Sequence, residues 1–288
     1  MAAAAALGKV MKLDVPTMRN AIGLAASQVI GLQSQLGSHA KSFHPGRAAQ
    51  CGLLASVLAS KGLTSSAHAL EAHNGWLHAV TPRHDFPSRV QHLGKDWEIV
   101  ENAFKPYACG IVCHPLIDGC VQLHHELEQI GAKLSEVRSV DAIVNPLAVK
   151  VTGERQPETG LQGKFSVYHS GAVALVFGKA GILQYTDAVV QDPQVKDSRE
   201  KIHPTTDANL ARDEAVLTLT LNDGRVLKKH VVHAVGSIDV PMTDEQLTEK
   251  FKDQAILVLN EEQLVDRASE ACWKLDQVAD MTEIIKFL

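Results

Sequence analysis

Apolar positions in the first part of the chain recur at the spacing of a helix face. After Pro16, which suits a first helical turn, come Met18, Ile22, Ala25, Ala26, Val29 and Leu32. A second series, Ala48, Ala49, Leu53, Leu54, Val57 and Leu58, predicts a helix that opens at Pro45. It should stop near Gly62, where a left-handed cap carries little penalty. The many small residues in both series predict helices that pack closely on one another.

The pattern changes after Gly131. Val137–Val144 and Leu147–Val151 are rich in β-branched residues and predict two strands interrupted at Pro146. Ala215–Leu221 alternates apolar and polar residues, and Asn222-Asp223-Gly224 then leads into Arg225–Val232, the signature of a hairpin. Ala172–Val176, between these strands, reads as a buried helix. Near the end, Thr243 with Gln246, and more loosely Asn260 with Gln263, fit the capping box of a helix start. These elements predict an α+β fold. A helical domain is built from residues 1–131 and 242–288, and a smaller α+β domain is inserted at 132–241.

Composition narrows the function. The 288 residues suffice for a sizeable core, and a net charge of −5 gives no general attraction to nucleic acid or to an anionic membrane. Any anion-binding site must therefore come from a local cluster of cations. No apolar run approaches the roughly 20 residues that span a bilayer. The five cysteines have no framework spacing and fit reduced thiols. The alanine-rich start lacks a basic segment ahead of it and is poor in arginine, so it reads neither as a signal peptide nor as a transit peptide. Cytosol is the default compartment, with a mitochondrial or peroxisomal address open. Cys109, Cys113, His114 and Cys120 supply only half of a zinc pattern, and packing explains small thiols better, so no metal is expected. Phosphate-loop, dinucleotide and nucleophile-elbow motifs are all missing from the sequence.

One local cation cluster stands out. Lys41, His44 and Arg47 fall within seven residues at a predicted helix start, where the helix end itself favours anions. The plainer alternative is a solvated basic helix start.

Four stretches carry a resemblance: Asn20–Gln28 (NAIGLAASQ), Lys41–Gln50 (KSFHPGRAAQ), Phe104–Pro115 (FKPYACGIVCHP) and Lys164–Val176 (KFSVYHSGAVALV). With Val235–Met242 (VGSIDVPM) and Lys250-Phe251, their order and spacing resemble the C-terminal two-thirds of the MmgE/PrpD family. These are lyases of citrate- and aconitate-like polycarboxylates. The resemblance implies a cofactor-free enzyme with a small-molecule polycarboxylate substrate, forming a homodimer or pairing with a full-length homologue. It also implies a further helical segment ahead of this chain that supplies acid/base residues. The chain thus reads as an incomplete gene product or a shortened homologue, and its helical part should expose apolar surface.

The same resemblance suggests roles. Lys41 and His44 are implied in catalysis, with Arg47 binding substrate beside them. Lys105 would hold a carboxylate and His114 would line the cleft, against the alternative of a surface lysine and a helix-capping histidine. Some family members have a catalytic tyrosine where this chain has His169, with Tyr168 just before it. Either could donate a proton, and Lys164 nearby would bind substrate, whereas packing alone could also explain Tyr168. The Lys41-x-x-His44 pattern leans towards decarboxylation of a cis-aconitate-like substrate. Dehydration of a 2-methylcitrate-like substrate is the alternative, and a non-catalytic binding or partner subunit the third reading.

Overall fold

The computed structural model describes residues 1–28, 31–35, 38–82 and 90–286. They form two compact units, Met1–Val100 and Glu101–Leu288.

The first unit is helical: α1 (Ala2–Val10), α2 (Val15–Ala26) and α3 (His39–Ser60). Asp14 caps α2 by accepting the Thr17 N–H at 2.9 Å, with proline in the first turn. The small residues do what their pattern predicts. Ala4, Ala25 and Ala55 form one buried cluster, and the Ser56 hydroxyl donates to the Ala4 carbonyl at 3.1 Å. A Cβ at Gly52 would stand 2.7 Å from the Ala4 nitrogen, so α1 crosses α3 where no side chain intervenes.

Two helix boundaries differ from expectation. α2 stops at Ala26, leaving Leu32 in an exposed loop, and Val29 lies outside the described residues. α3 begins six residues before Pro45, at His39, with Ser38 in extended backbone as its N-cap. Pro45 lies inside this helix, where its missing N–H deprives only the Lys41 carbonyl of a bond. Packing of the later turns against α1 and α2 outweighs that loss. The stop is as expected, with Gly62 at φ +92°. Leu53, Leu54 and Val57, on α3, are 51%, 44% and 40% exposed, a run of apolar surface within this unit.

The second unit carries a four-stranded sheet in the order β2-β1-β3-β4, from β1 (Val137–Val144), β2 (Ile202–Thr206), β3 (Ala215–Leu221) and β4 (Val226–Val231). β1 runs parallel to β2 and antiparallel to β3, and β3 and β4 form the expected hairpin with Leu219 opposite Leu227. Burial alternates along β3, with Ala215, Leu217, Leu219 and Leu221 turned inward against helix His114–Gln129. That helix also packs on Val167–Phe177, the buried helix foreseen around Ala172–Val176. At the β4 edge, Lys229 reaches Glu126 of the His114–Gln129 helix at 2.6 Å. The helix that ends before residue 131 and the strand that begins after it share one core within the second unit.

Leu147–Val151 is helix rather than strand. Asn145 accepts the Leu147 N–H at 3.0 Å and Pro146 occupies the first turn, so local capping overrides β propensity. The Thr243–Gln246 capping box forms as expected. Asn260 does not cap a helix start; at φ +54° it closes the preceding helix Asp244–Leu259, and the next begins after Glu261. Among the described residues no helix is long and apolar enough to cross a membrane. The fold is α+β.

Candidate active site

The candidate site in the second unit grows from the segment Phe104–Tyr107, which leads into the His114–Gln129 helix. Gly236, at φ +83°, lets the turn after β4 pass against this segment; a Cβ there would lie 2.7 Å from Pro106 Cδ. The Tyr107 hydroxyl donates to one oxygen of Asp118, and the other oxygen accepts the Val235 N–H at 2.7 Å. Burial raises the Asp118 pKa, opposed by these two bonds and by the neighbouring His114. Burial, then the Asp118 charge, pushes the Tyr107 phenol well up, so it stays protonated and donates. The Tyr107 ring meets His114 edge-on, centroids 5.2 Å apart at 82°. His114 is 2% exposed, and its Nε2 has no hydrogen-bond partner among the described residues. A buried polar atom left open in this way is the kind a ligand satisfies.

Two cavities flank this wall, and Val235 borders both. One, of about 570 Å³, is lined by Tyr107, Asp118, Gln122, His125, Gln246 and Lys250. The other, of about 350 Å³, is lined by Ile111, Val112, His114, Leu147, Arg212 and Ile238. Lys250 is half-buried; desolvation, and then the nearby Lys105 ammonium, holds its pKa below the usual lysine range. Lysine–carboxylate pairs among the described residues involve Lys201, Lys229 and Lys252, not Lys105 or Lys250. Glu249 and Asp253 also line the larger cavity without reaching Lys250 at ion-pair distance. Two ammonium groups that repel each other and make no ion pair among the described residues are a place where an added carboxylate is favoured, although Asp118, Glu249 and Asp253 line the same cavity.

The remaining expected residues are placed differently. His169 is fully buried: its Nε2 lies 3.0 Å from the Gln184 carbonyl and its Nδ1 3.3 Å from an Arg199 nitrogen. With Nε2–H donating to the carbonyl, both ring nitrogens are engaged and neither is open to a ligand. Desolvation lowers its pKa to about 4, so the ring is neutral at pH 7. Tyr168 is half-buried, with Arg155 5.6 Å above its ring. Lys164 is half-buried, and its carbonyl accepts the Gly110 N–H at 3.1 Å, tying this segment to the start of the His114 helix. In the first unit, Lys41, His44 and Arg47 lie three residues apart along one flank of α3. Lys41 is exposed and His44 half-buried, while Arg47 donates to Gln50 at 2.7 Å. Gly31, at φ +143°, passes over His44; a Cβ there would stand 3.3 Å from Nδ1.

Cys113 and Cys120 are fully buried, and the Cys113 thiol donates to Thr152 at 3.1 Å. Two other groups, His124/His125/Glu128 and Asp213/His233/Asp239, bring donor atoms within 4.8 Å of one another. In both, imidazole–carboxylate contacts at 2.9–3.7 Å already explain the closeness.

The model of the MmgE/PrpD N-terminal domain matches residues 1–89, and that of the MmgE/PrpD C-terminal domain matches residues 107–275. The chain belongs to the MmgE/PrpD family. A cis-aconitate decarboxylase of Aspergillus terreus is 27% identical over 307 residues, covering 100% of this chain and 62% of that protein. A cis-aconitate decarboxylase-like protein of Aspergillus oryzae is 24% identical, with 100% and 63% covered. The cis-aconitate decarboxylase of Mus musculus is 22% identical, with 100% and 60% covered. This MmgE/PrpD chain thus spans about three-fifths of the length of these relatives. Sequence reasoning missed Tyr107, Asp118 and Lys250 as site residues. Tyr107 stood inside a quoted motif and Lys250 beside Phe251 in another; nothing marked Asp118.

Proposed function

We propose that this chain carries a polycarboxylate-binding centre of a cofactor-free lyase, and that its reaction is decarboxylation of a cis-aconitate-like substrate. The carrying observation is the pair Lys105 and Lys250, two cations without counter-ions beside a polar cavity of about 570 Å³. A di- or tricarboxylate relieves their repulsion and recovers charge-assisted hydrogen bonds. In the reaction, the bond to one carboxylate breaks and carbon dioxide leaves. The electron pair left behind is drawn towards a remaining carboxylate, where an ammonium stabilises the developing charge. A proton from an acid group then closes the step, while His114, which lines the neighbouring cavity across the wall, is kept as a cleft residue on the support of the family motif. For the first unit, the proposal keeps Lys41 and His44 as residues the reaction needs and Arg47 as a substrate contact, supported by the family motif that contains them. Tyr168 and Lys164 stay as a proton donor and a substrate contact on the same support.

The Lys41-x-x-His44 pattern and the relatives' names favour decarboxylation over dehydration of a 2-methylcitrate-like substrate. The exposed Leu53, Leu54 and Val57 favour a further role for α3, pairing with a second copy or a longer homologue. A proton NMR time course with cis-aconitate, citrate and 2-methylcitrate, supplied separately, tests the reaction. An itaconate-type methylene supports decarboxylation, and a dehydrated product from 2-methylcitrate replaces it with the alternative. No turnover by a folded sample that still binds citrate leaves a binding subunit, and no binding overturns the proposal.

A further inference from the structure

We propose that Asp118 is the positioning residue of this site, setting both the Lys105 segment and His114 through Tyr107 and the backbone of Val235. The inference rests on the reading that Lys105 meets the ligand, with His114 lining the neighbouring cavity on the same wall. Asp118 is 4% exposed, and a carboxylate withdrawn from water to that degree is stable only when its oxygens are bonded. Both are: one by Tyr107 and the other by the Val235 N–H at 2.7 Å. Tyr107, eleven residues away, and Val235, 117 residues away, therefore meet on one side chain. Asp118 lies one helical turn beyond His114 on the same rigid helix, so it is fixed relative to that ring. On the other side, Tyr107 is joined to Lys105 by Pro106 alone, whose ring locks φ and stiffens the link. The Tyr107 ring also rests edge-on against His114 at 5.2 Å. Where Asp118 holds Tyr107, it holds Lys105 and one wall of His114 with it.

The test uses Tyr107→Phe and Asp118→Asn in the full chain. Tyr107→Phe removes one hydrogen bond and keeps the ring, which guards against an Asp118 variant that fails to fold. Citrate affinity is measured by calorimetry, KM and kcat wherever turnover is found, and amide exchange over residues 104–108 and 235. Tyr107→Phe is expected to weaken citrate binding about five- to tenfold and speed exchange at 104–108, and also to lower the thermal transition, because one oxygen of the buried Asp118 loses its donor. Asp118→Asn should weaken binding at least as much, because its single carboxamide oxygen can accept from Tyr107 or from the Val235 N–H but not from both. Adding Tyr107→Phe to it should change affinity no further, because both act through one contact. A merely structural role lowers the folded fraction and apparent kcat but leaves the Kd and KM of folded molecules at the wild-type value, and that result overturns the proposal. Lys105→Ala separates the two claims. If it binds citrate like wild type, the reading of the site is wrong. The positioning claim then stands or falls on exchange alone: wild-type protection at 104–108 and 235 in both variants sinks it.

Discussion

Replacing Lys250 with alanine probes the site most directly. In the free protein Lys250 is half-buried, and desolvation and Lys105 together depress its pKa. Its charged form is thus disfavoured by folding at neutral pH, and deleting it should leave the unfolding temperature unchanged or slightly higher. Citrate affinity should move the other way. A charge-assisted hydrogen bond contributes about 1.5–3 kcal/mol when water is excluded, but Lys105 is exposed and Lys250 only half-buried. The screened end of that range applies, about 1 kcal/mol per lysine, or roughly a fivefold loss of affinity for each substitution. Salt should erode the difference, since the screening length is about 8 Å at physiological ionic strength. Proton linkage gives an independent signature. Bound carboxylate raises the depressed Lys250 pKa towards its usual value, so citrate binding takes up protons on the alkaline side of neutrality. Lys250→Ala abolishes that uptake, which calorimetry in buffers of different ionisation enthalpy reads directly. Wild-type affinity at low salt together with undiminished proton uptake would refute the lysine-pair argument.

Three further outcomes follow from the packing and the titrating groups. Gly119→Ala would place a Cβ 2.7 Å from Leu217 Cδ2 in a fully buried strand position, and overpacking of about 1–3 kcal/mol outweighs the roughly 1 kcal/mol helix-propensity gain. The denaturation midpoint should fall, and a rise would show that Leu217 has room to move. His169 has a folded pKa of about 4 against 6.5 in the open chain, so its contribution is intact above pH 6.5 and lost as pH falls towards 4, about 3 kcal/mol in all. Urea titrations across that window should show a shallower acid loss in His169→Gln, and parallel curves would exclude His169 as the cause. His233 is shifted up by its hydrogen bond to Asp213, with Asp239 and Glu214 adding to it. Its stabilising effect is therefore present at low pH and lost as pH rises through the folded pKa. Its NMR midpoint should exceed 6.5 and drop in Asp213→Asn; an unchanged midpoint would dissolve that ion pair.

Much of the fold was legible because its signals are local. Strict alternation on β3 and a Gly-containing turn define the hairpin, and Thr243 with Gln246 defines a helix start. The misread elements share one cause, competition between signals within a few residues. Leu147–Val151 looks like a strand by side-chain type, yet Asn145 and Pro146 decide its backbone before those side chains pack. Pro45 looks like a helix start, yet the chain is already helical at His39 because small residues downstream lock α3 against its neighbours. Asn260 carries a capping pattern for the next helix but spends its conformational freedom ending the previous one.

The candidate site was less legible for a different reason. Lys105 and His114 could be named from one motif, but what gives them meaning lies far along the chain. Lys250 gains its depressed pKa from burial, and then from Lys105, only where the Asp244–Leu259 helix places it, and no feature of its immediate sequence distinguishes it from the ion-paired Lys252 two residues on. Asp118 reads locally as a polar residue on an amphipathic helix; burial, Tyr107 and Val235 turn it into a junction. His169 illustrates the converse. Its motif position suggests chemistry, but the fold surrounds it with Gln184 and Arg199 and leaves no ring nitrogen to offer. An assignment of roles in this chain therefore has to weigh which polar atoms the fold leaves unsatisfied. By that measure His114 Nε2 and the Lys105–Lys250 pair are, among the described residues of the candidate site, groups still without a partner.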